Sequence, residues 1–477
     1  MRPVAVLLTA VLLFLGVLAT ACTSTSTGTA SHATYSAVYY VSPSGNGTNG
    51  LSWATAWRNT STIEWSVIRS RSEIILDGGT SRCSVSPYDF KPSSPDPGVT
   101  CGQRYAPFSV GQNDITIERS TVPGHDGNVV IDGGRDTPLP YCGQPSYHAA
   151  AGAEEGIDLN SHSGVVIDGM TRGGIVVRGG QDGVAMRGGG NDTLRNIEIF
   201  DNGYAMSNPW GYSSDGNGVV LDGENNVYNR LLVHDNGQDE FHSGSEPHAG
   251  SFGYSVSGSV FSNSWLGAVR ANPRYPGEPF NDLQVSGHDP GCTHADGVQI
   301  FEPGITMSGL TFNYDVFGPG INSGLFPSDG GTHATVDNVT VYDSLFLSPA
   351  SIDIMTVNPV HGWKLRHDTL IAARDALLIL SNGSNTMTDV VKCGGSVYAP
   401  GGSWITSGNV WYGGDPLPGA SAHRDIGCPS IPTGTLPNLT SLLAANFTPS
   451  GAASGSPLHS LSDLLTRIDS LNASQER

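Results

Sequence analysis

Apolar and polar positions along the chain alternate with the period of strands. Between about Ser161 and Tyr412, Val, Ile, Thr and Phe trade places with Asn, Asp, Ser and Gly over short runs, and helical periodicity is nearly absent. One phrase recurs: a few β-formers, a turn residue, then another few. It reads Val165-Val-Ile-Asp, Leu194-Arg-Asn-Ile-Glu-Ile, Val227-Tyr-Asn-Arg-Leu-Leu-Val, Val256-Ser-Gly-Ser-Val-Phe, Met307-Ser-Gly-Leu-Thr-Phe, Val336-Asp-Asn-Val-Thr-Val, Trp363-Lys-Leu-Arg and Met387-Thr-Asp-Val-Val. The anchors stand roughly 24 to 33 residues apart, apart from one step of about 51 between Val256 and Met307. A unit of that size cannot bury its apolar side alone and must stack on its neighbours. A second phrase, Asp or Asn followed by Gly and an apolar pair, stands at Asp182-Gly-Val-Ala-Met, Asn217-Gly-Val-Val-Leu and Asp296-Gly-Val-Gln-Ile. Each unit therefore holds at least two short strands joined by corners of Gly and Asn, which tolerate left-handed backbone. The pattern predicts an all-β, right-handed parallel β-helix around a narrow packed core. An antiparallel sandwich leaves the paired phrases unexplained.

The ends depart from the repeat. Residues 1–21 carry Arg2, the apolar run Val4–Leu18 and the small trio Ala19-Thr20-Ala21, which read as a secretory signal peptide. Cys22 follows, so the segment resembles a bacterial lipoprotein signal with Cys22 as the lipidated residue, although Ala19 stands where such signals usually have Leu. Residues 22–36 read as a Ser/Thr-rich tether, 37–415 as the β-helix, and 416–477 as a C-terminal extension. In that extension Leu464, Leu465, Ile468 and Leu471 fall at helical spacing, which predicts a helix capping the open end. The expected location is outside the cell or tethered to the envelope.

Of 477 residues, 63 are Gly and 30 Pro, yet the Gly falls at corners between strands, so the composition fits coils and not a linker. The formal net charge of −20 argues against a nucleic-acid partner. Lysine occurs only at Lys91, Lys364 and Lys392, which leaves Arg172, Arg178, Arg187 and Arg195 as candidates for a local cationic patch or for solvated corners. Without Cys22, six cysteines remain in an exported chain, an even number that suits disulfides. Connectivity is open; proximity suggests Cys83–Cys101 and Cys393–Cys428.

Tyr39-Tyr-Val-Ser-Pro-Ser-Gly-Asn-Gly-Thr-Asn-Gly, Trp53-Ala-Thr-Ala-Trp, a helix-like stretch at 60–69 and Glu73-Ile-Ile-Leu-Asp-Gly-Gly-Thr resemble the opening of secreted right-handed β-helix carbohydrate-active proteins. That group includes polysaccharide lyases, β-helix glycoside hydrolases, uronate epimerases and some adhesins. The resemblance covers roughly residues 39–415 and implies an N-terminal cap on the solenoid and a polysaccharide partner, with the chain a monomer. It is specific for fold and weak for activity.

Two segments are too polar for corner duty: His234-Asp-Asn-Gly-Gln-Asp-Glu-Phe-His-Ser-Gly-Ser-Glu-Pro-His248 and Gly287-His-Asp-Pro-Gly-Cys-Thr-His-Ala-Asp-Gly-Val-Gln299. Between them, 272–293 reads as an inserted loop, and loops of that length in a short-cornered protein are usually functional or disordered. Candidate catalytic residues are Asp239, Glu240, His242, Arg270, His294 and Asp296. Strand alternation separates His294 and Asp296 from Gln299 across the two faces. The bland alternative makes Asp296 a corner residue that caps backbone amides of the next turn. Trp210, Tyr212, Tyr275 and Gln299 are candidates for contact with sugar, with Trp265 and Phe280 nearby.

Three reaction classes remain open. A lyase needs the uronate carboxylate neutralised and a base for the adjacent proton. Asp239, Glu240 or Asp289 would then hold Ca²⁺ through hard oxygen ligands, with His242, His294 or Arg270 as base. A hydrolase would draw its acid and base from Asp239, Glu240 and Asp296. An epimerase would alter the polymer without cutting it, and a non-catalytic glycan-binding or adhesin-like surface protein would do neither. β-Elimination on a uronic-acid polymer leads. Zinc at His288, Asp289, Cys292 and His294 is disfavoured, because export gives Cys292 a better use in a disulfide.

Overall fold

The computed structural model describes residues 35–82, 101–133, 155–200, 202, 216–234, 236, 239–244, 255–267, 296–301, 306–318, 321, 323–326, 335–348, 352–356, 358–372 and 375–420. The chain divides into Met1–Tyr35 and Ser36–Arg477. Cys22 and most of 416–477, including the stretch with helical spacing, lie outside the described residues. Among the described residues no helix is long and apolar enough to cross a membrane.

Three long sheets account for nearly all strands, with 12, 11 and 10 strands among the described residues. They are called A, B and C in the order the chain visits them in each coil. Every successive pairing within them is parallel, so the chain winds A, B, C and returns one coil further on. This is a parallel β-helix. Strands run from Val38–Val41 to Val410–Tyr412. At the N-terminal end the helix-like stretch resolves into single 3-10 turns at Thr60–Thr62 and Trp65–Val67.

The recurring phrase spans two strands. In Leu194-Arg-Asn-Ile-Glu-Ile, sheet A ends at Arg195, Asn196 turns with φ 61°, and sheet B begins at Ile197. Arg230, Asn263, Tyr314, Asp343, His367 and Asp389 occupy the same left-handed corner, with φ of 54–57°. Three of these are neither Asn nor Asp, a strain of about 1 kcal/mol each. A buried side-chain ladder one residue later offsets it. Ser264 Oγ accepts from Leu231 N at 3.2 Å, Asp315 Oδ1 from Ser264 N at 2.9 Å, Ser344 Oγ from Asp315 N at 3.2 Å, and Asp368 Oδ1 from Ser344 N at 3.0 Å.

In-register stacking puts like positions above one another at the strand spacing. The inward row of sheet A reads Ile167, Leu194, Tyr228, Phe261, Phe312, Val341, Leu365 and Met387, all essentially inaccessible. Tyr228, Phe261 and Phe312 stack with centroids 4.6 Å apart at each step. Each such side chain contributes roughly 1.5–3 kcal/mol through burial.

Candidate functional site

Sheet C positions the candidate residues. Its inward row runs Ile157, Val184, Val219, Phe241, Val298 and Leu325; one residue on, the outward row runs Asp158, Ala185, Val220, His242, Gln299 and Phe326. His242 and Gln299 are therefore neighbours across adjacent strands, flanked by apolar rungs. The break in the repeat opens here too: the chain leaves sheet B at Trp265–Gly267 and rejoins sheet C at Val298–Phe301.

Two residues before each inward rung lies a second ladder: Asp182, Asn217, Asp239, Asp296 and Ser323. Asp182 Oδ1 accepts from Asn217 N at 2.7 Å, Asn217 Oδ1 from Asp239 N at 3.4 Å, Asp239 Oδ1 from Asp296 N at 2.8 Å, and Asp296 Oδ1 from Ser323 N at 2.7 Å. Asp239 and Asp296 are wholly inaccessible. Both acids thus cap backbone amides of the next coil, the bland role weighed for Asp296, and they do not face each other as an acid and a base across a substrate.

Asp239 has a second oxygen to spend. Its Oδ2 lies 2.8 Å from Nδ1 of His242. A carboxylate on Nδ1 fixes the tautomer protonated there, leaves the lone pair on Nε2, and stabilises the imidazolium once a proton arrives. The His242 side chain is 7% exposed, so this pair sits in a low-dielectric setting.

Glu240 points elsewhere. In neighbouring coils its position is glycine: a Cβ at Gly218 would come within 2.3 Å of Val233 Cγ1, and one at Gly183 within 2.3 Å of Ile199 Cγ2. The position faces the interior of the corner between sheets B and C. There Glu240 Oε2 accepts from Asn236 Nδ2 at 2.6 Å, Asn236 Oδ1 accepts from Asn202 Nδ2 at 3.0 Å, and Asn202 Oδ1 accepts from Gly180 N at 3.2 Å. Glu240 belongs to this internal amide ladder and not to the outward row of His242.

These placements bear on calcium. Both Asp239 oxygens serve internal partners, Glu240 faces inward, and Asp289 lies outside the described residues. Among the described residues no group of three His, Cys, Asp or Glu side chains is arranged to hold a metal. The described acids do not fit the oxygen cage a calcium ion requires. Arg270, His294, Trp210, Tyr212 and Tyr275 also lie outside the described residues.

The four arginines do not form a patch. Arg178 faces Asp132 at 3.6 Å, Arg187 pairs with Glu155 and Asp158, Arg195 binds Asp168 at 2.6 Å, and Arg172 reaches the carbonyl of Asn263 at 3.3 Å. Cys101 and Cys393 are each disulfide-bonded; Cys83 and Cys428 lie outside the described residues.

No protein-family model matches the chain, and no curated protein matches it. Solved structures do. The pectate lyase Pel9A is 13% identical, with 89% of this chain and 95% of that one covered and a TM-score of 0.39. The Dettilon tailspike protein is 10% identical, with 79% and 62% covered and a TM-score of 0.46. A lacto-N-biosidase from Eubacterium ramulus is 11% identical, with 79% and 67% covered and a TM-score of 0.42. The β-helix assignment rests on this chain's own strand pairings.

The sequence names His234 and Trp265 but does not assemble the two groups that the fold brings together. On the outer face of sheet B, His234 Nε2 meets Glu198 Oε1 at 3.1 Å, and the ring stacks on Phe200 and tilts against Trp265. On the outer face of sheet A, Glu118 hydrogen-bonds Glu73 and sits beside Asp168. Register between coils creates both, and the only signal in the chain was the spacing of the repeat.

Proposed function

We propose that the chain is an exported enzyme that cleaves a uronic-acid-containing polysaccharide by β-elimination, with His242 as the base. The observation that carries this reading is the Asp239–His242 contact on the outward row of sheet C. In the step, His242 Nε2 removes the proton on the carbon bearing the carboxyl group. The C–H electron pair becomes the new C=C bond, and the adjacent C–O bond breaks with its electrons on oxygen, which takes a proton from water. Asp239 stabilises the imidazolium formed. Gln299, the next rung, offers an amide donor to the carboxyl oxygens where charge develops.

Hydrolysis by paired carboxylates has less support, since Asp239 and Asp296 are committed to the backbone ladder. Export rests on the N-terminal leader, and an envelope anchor would rest on Cys22. The test is incubation with a panel of free and esterified uronic-acid polymers, following absorbance of the unsaturated product. Wild type should produce it and His242→Ala should not. New reducing ends without absorbance would replace this reading with hydrolysis, and altered composition without cleavage with epimerisation.

A further inference from the structure

Lys392 lies where a lysine is least expected. In sheet B it pairs with Leu370 on one side and Trp411 on the other, and Leu370 belongs to the inward, core-forming row. The side chain is fully buried. Its ammonium donates to the carbonyls of Gly394 at 2.5 Å, Gly395 at 2.6 Å and Gly413 at 3.1 Å, so three donors meet three acceptors. The chain repeats a glycine pair to build this arrangement: Lys392-Cys-Gly-Gly in one coil, Trp411-Tyr-Gly-Gly in the next. Gly394, Gly395, Gly413 and Gly414 have φ of 73°, 68°, 68° and 66°, a left-handed backbone that glycine adopts at least cost. A Cβ at Gly414 would stand 2.1 Å from the Gly395 oxygen and 3.0 Å from Nζ.

We propose that these carbonyls form a cation seat, which the chain fills with its own ammonium, and that the seat locks the last coils together. A primary ammonium or a monovalent cation suits a cluster of neutral carbonyls, whereas a divalent ion calls for carboxylate ligands. The seat lies at the last coil among the described residues. Ser396–Tyr398, Ser403–Ser407 and Val410–Tyr412 are the last strands of their sheets among the described residues, and Tyr398 and Ile405 there are 57% and 65% exposed. Among the described residues these strands have a parallel neighbour on one side only, and a coil stacked on one side is the first to fray. Burial pushes the Lys392 pKa down to about 8, against the attraction of Asp415 and Asp353. Losing the side chain would take a donor from each of the three carbonyls, of which the Gly395 oxygen keeps a bond from Asp415 N at 3.3 Å.

Chemical rescue on the full chain tests the lock. Lys392→Ala should lower the melting midpoint by several degrees. Ethylammonium should restore it in that variant and leave wild type unmoved, judged against sodium chloride at equal ionic strength. Lys392→Met, which fills the space without charge, should melt low and show no rescue. A Lys392→Met protein that melts with wild type, or a Lys392→Ala protein indifferent to ethylammonium, overturns the proposal. If Lys392→Ala does not fold, wild type supplies the readout. An amine-reactive reagent should label Lys392 at least about tenfold more slowly than exposed Lys364. The labelled molecules should be those whose last coils a protease cuts. Equal labelling rates, or labelling unrelated to cleavage, would count against the lock.

Discussion

Asp239 stands between His242 and the backbone of Asp296, with one carboxylate oxygen for each. The side chain that joins one coil to the next also orients the imidazole. In the adjacent coils the same ladder position is Asn217 and Asp296, and the outward rungs there are Val220 and Gln299, so the carboxylate and the imidazole coincide in this coil alone of the three.

Asp239→Asn separates the two tasks. The amide oxygen can still cap Asp296 N, while the amide nitrogen faces Nδ1 and turns the imidazole to the wrong tautomer. Turnover should drop by roughly a thousandfold or more with little change in melting midpoint. Asp239→Ala should lose both tasks and about 1–3 kcal/mol of stability. Parallel assays of elimination and thermal melting check this, and an active Asp239→Asn would remove Asp239 from any orienting role.

Glu118 gives stability a pH dependence. Burial, then repulsion from Glu73 and Asp168, pushes its pKa up to about 8 against the pull of Arg195, and as the protonated partner it donates to Glu73. An acid raised in the fold stabilises fully below its ordinary value of 4.5, and that contribution is lost as pH rises through about 8. Wild type should therefore lose melting temperature across that window relative to Glu118→Gln, which keeps a donor and does not titrate. A gap between the two curves that stays constant with pH would contradict the assignment.

Gly218→Ala should destabilise by about 1–3 kcal/mol. The added methyl meets Val233 Cγ1 at 2.3 Å and the Glu240 carbonyl at 2.6 Å, and neither can retreat from the packed corner. Denaturant melts would measure the cost, and a neutral result would mean the corner is looser than its contacts imply.

Phe261→Ala removes the middle ring of the stack with Tyr228 and Phe312. The expected loss is about 3–5 kcal/mol, because neighbouring coils are held at strand spacing and cannot close the cavity. Chemical denaturation is again the check.

The architecture was legible because a solenoid writes its period into the chain. The turn residue inside the phrase at Leu194 proves to be a full corner between two sheets, since a single left-handed Asn196 turns it without the usual loop, and each coil there holds three strands where the two phrases implied at least two. The ladder role of Asp296 was legible from its alignment with Asp182 and Asn217. That of Asp239 was not: Asp239-Glu-Phe-His is the same phrase with Glu240 in place of Gly, and the substitution concealed it. Had it been aligned, Phe241 would have fallen inward and His242 outward. The Asp239–His242 contact and the Glu73–Glu118 pair depend on register between turns, which no local pattern encodes.

The corners differ in what they tolerate. From Leu194 onward, sheet A passes to sheet B through one or two residues, the first left-handed. One extra residue there would shift the next strand by a position and turn its rows inside out. The passage from sheet B to sheet C already ranges from two residues, between Ile371-Ala372 and Asp375-Ala376 with 373–374 intervening, to the long stretch before Val298. Variation and engineering should therefore concentrate at that second corner, where new walls can be grafted beside His242 while every coil keeps its count.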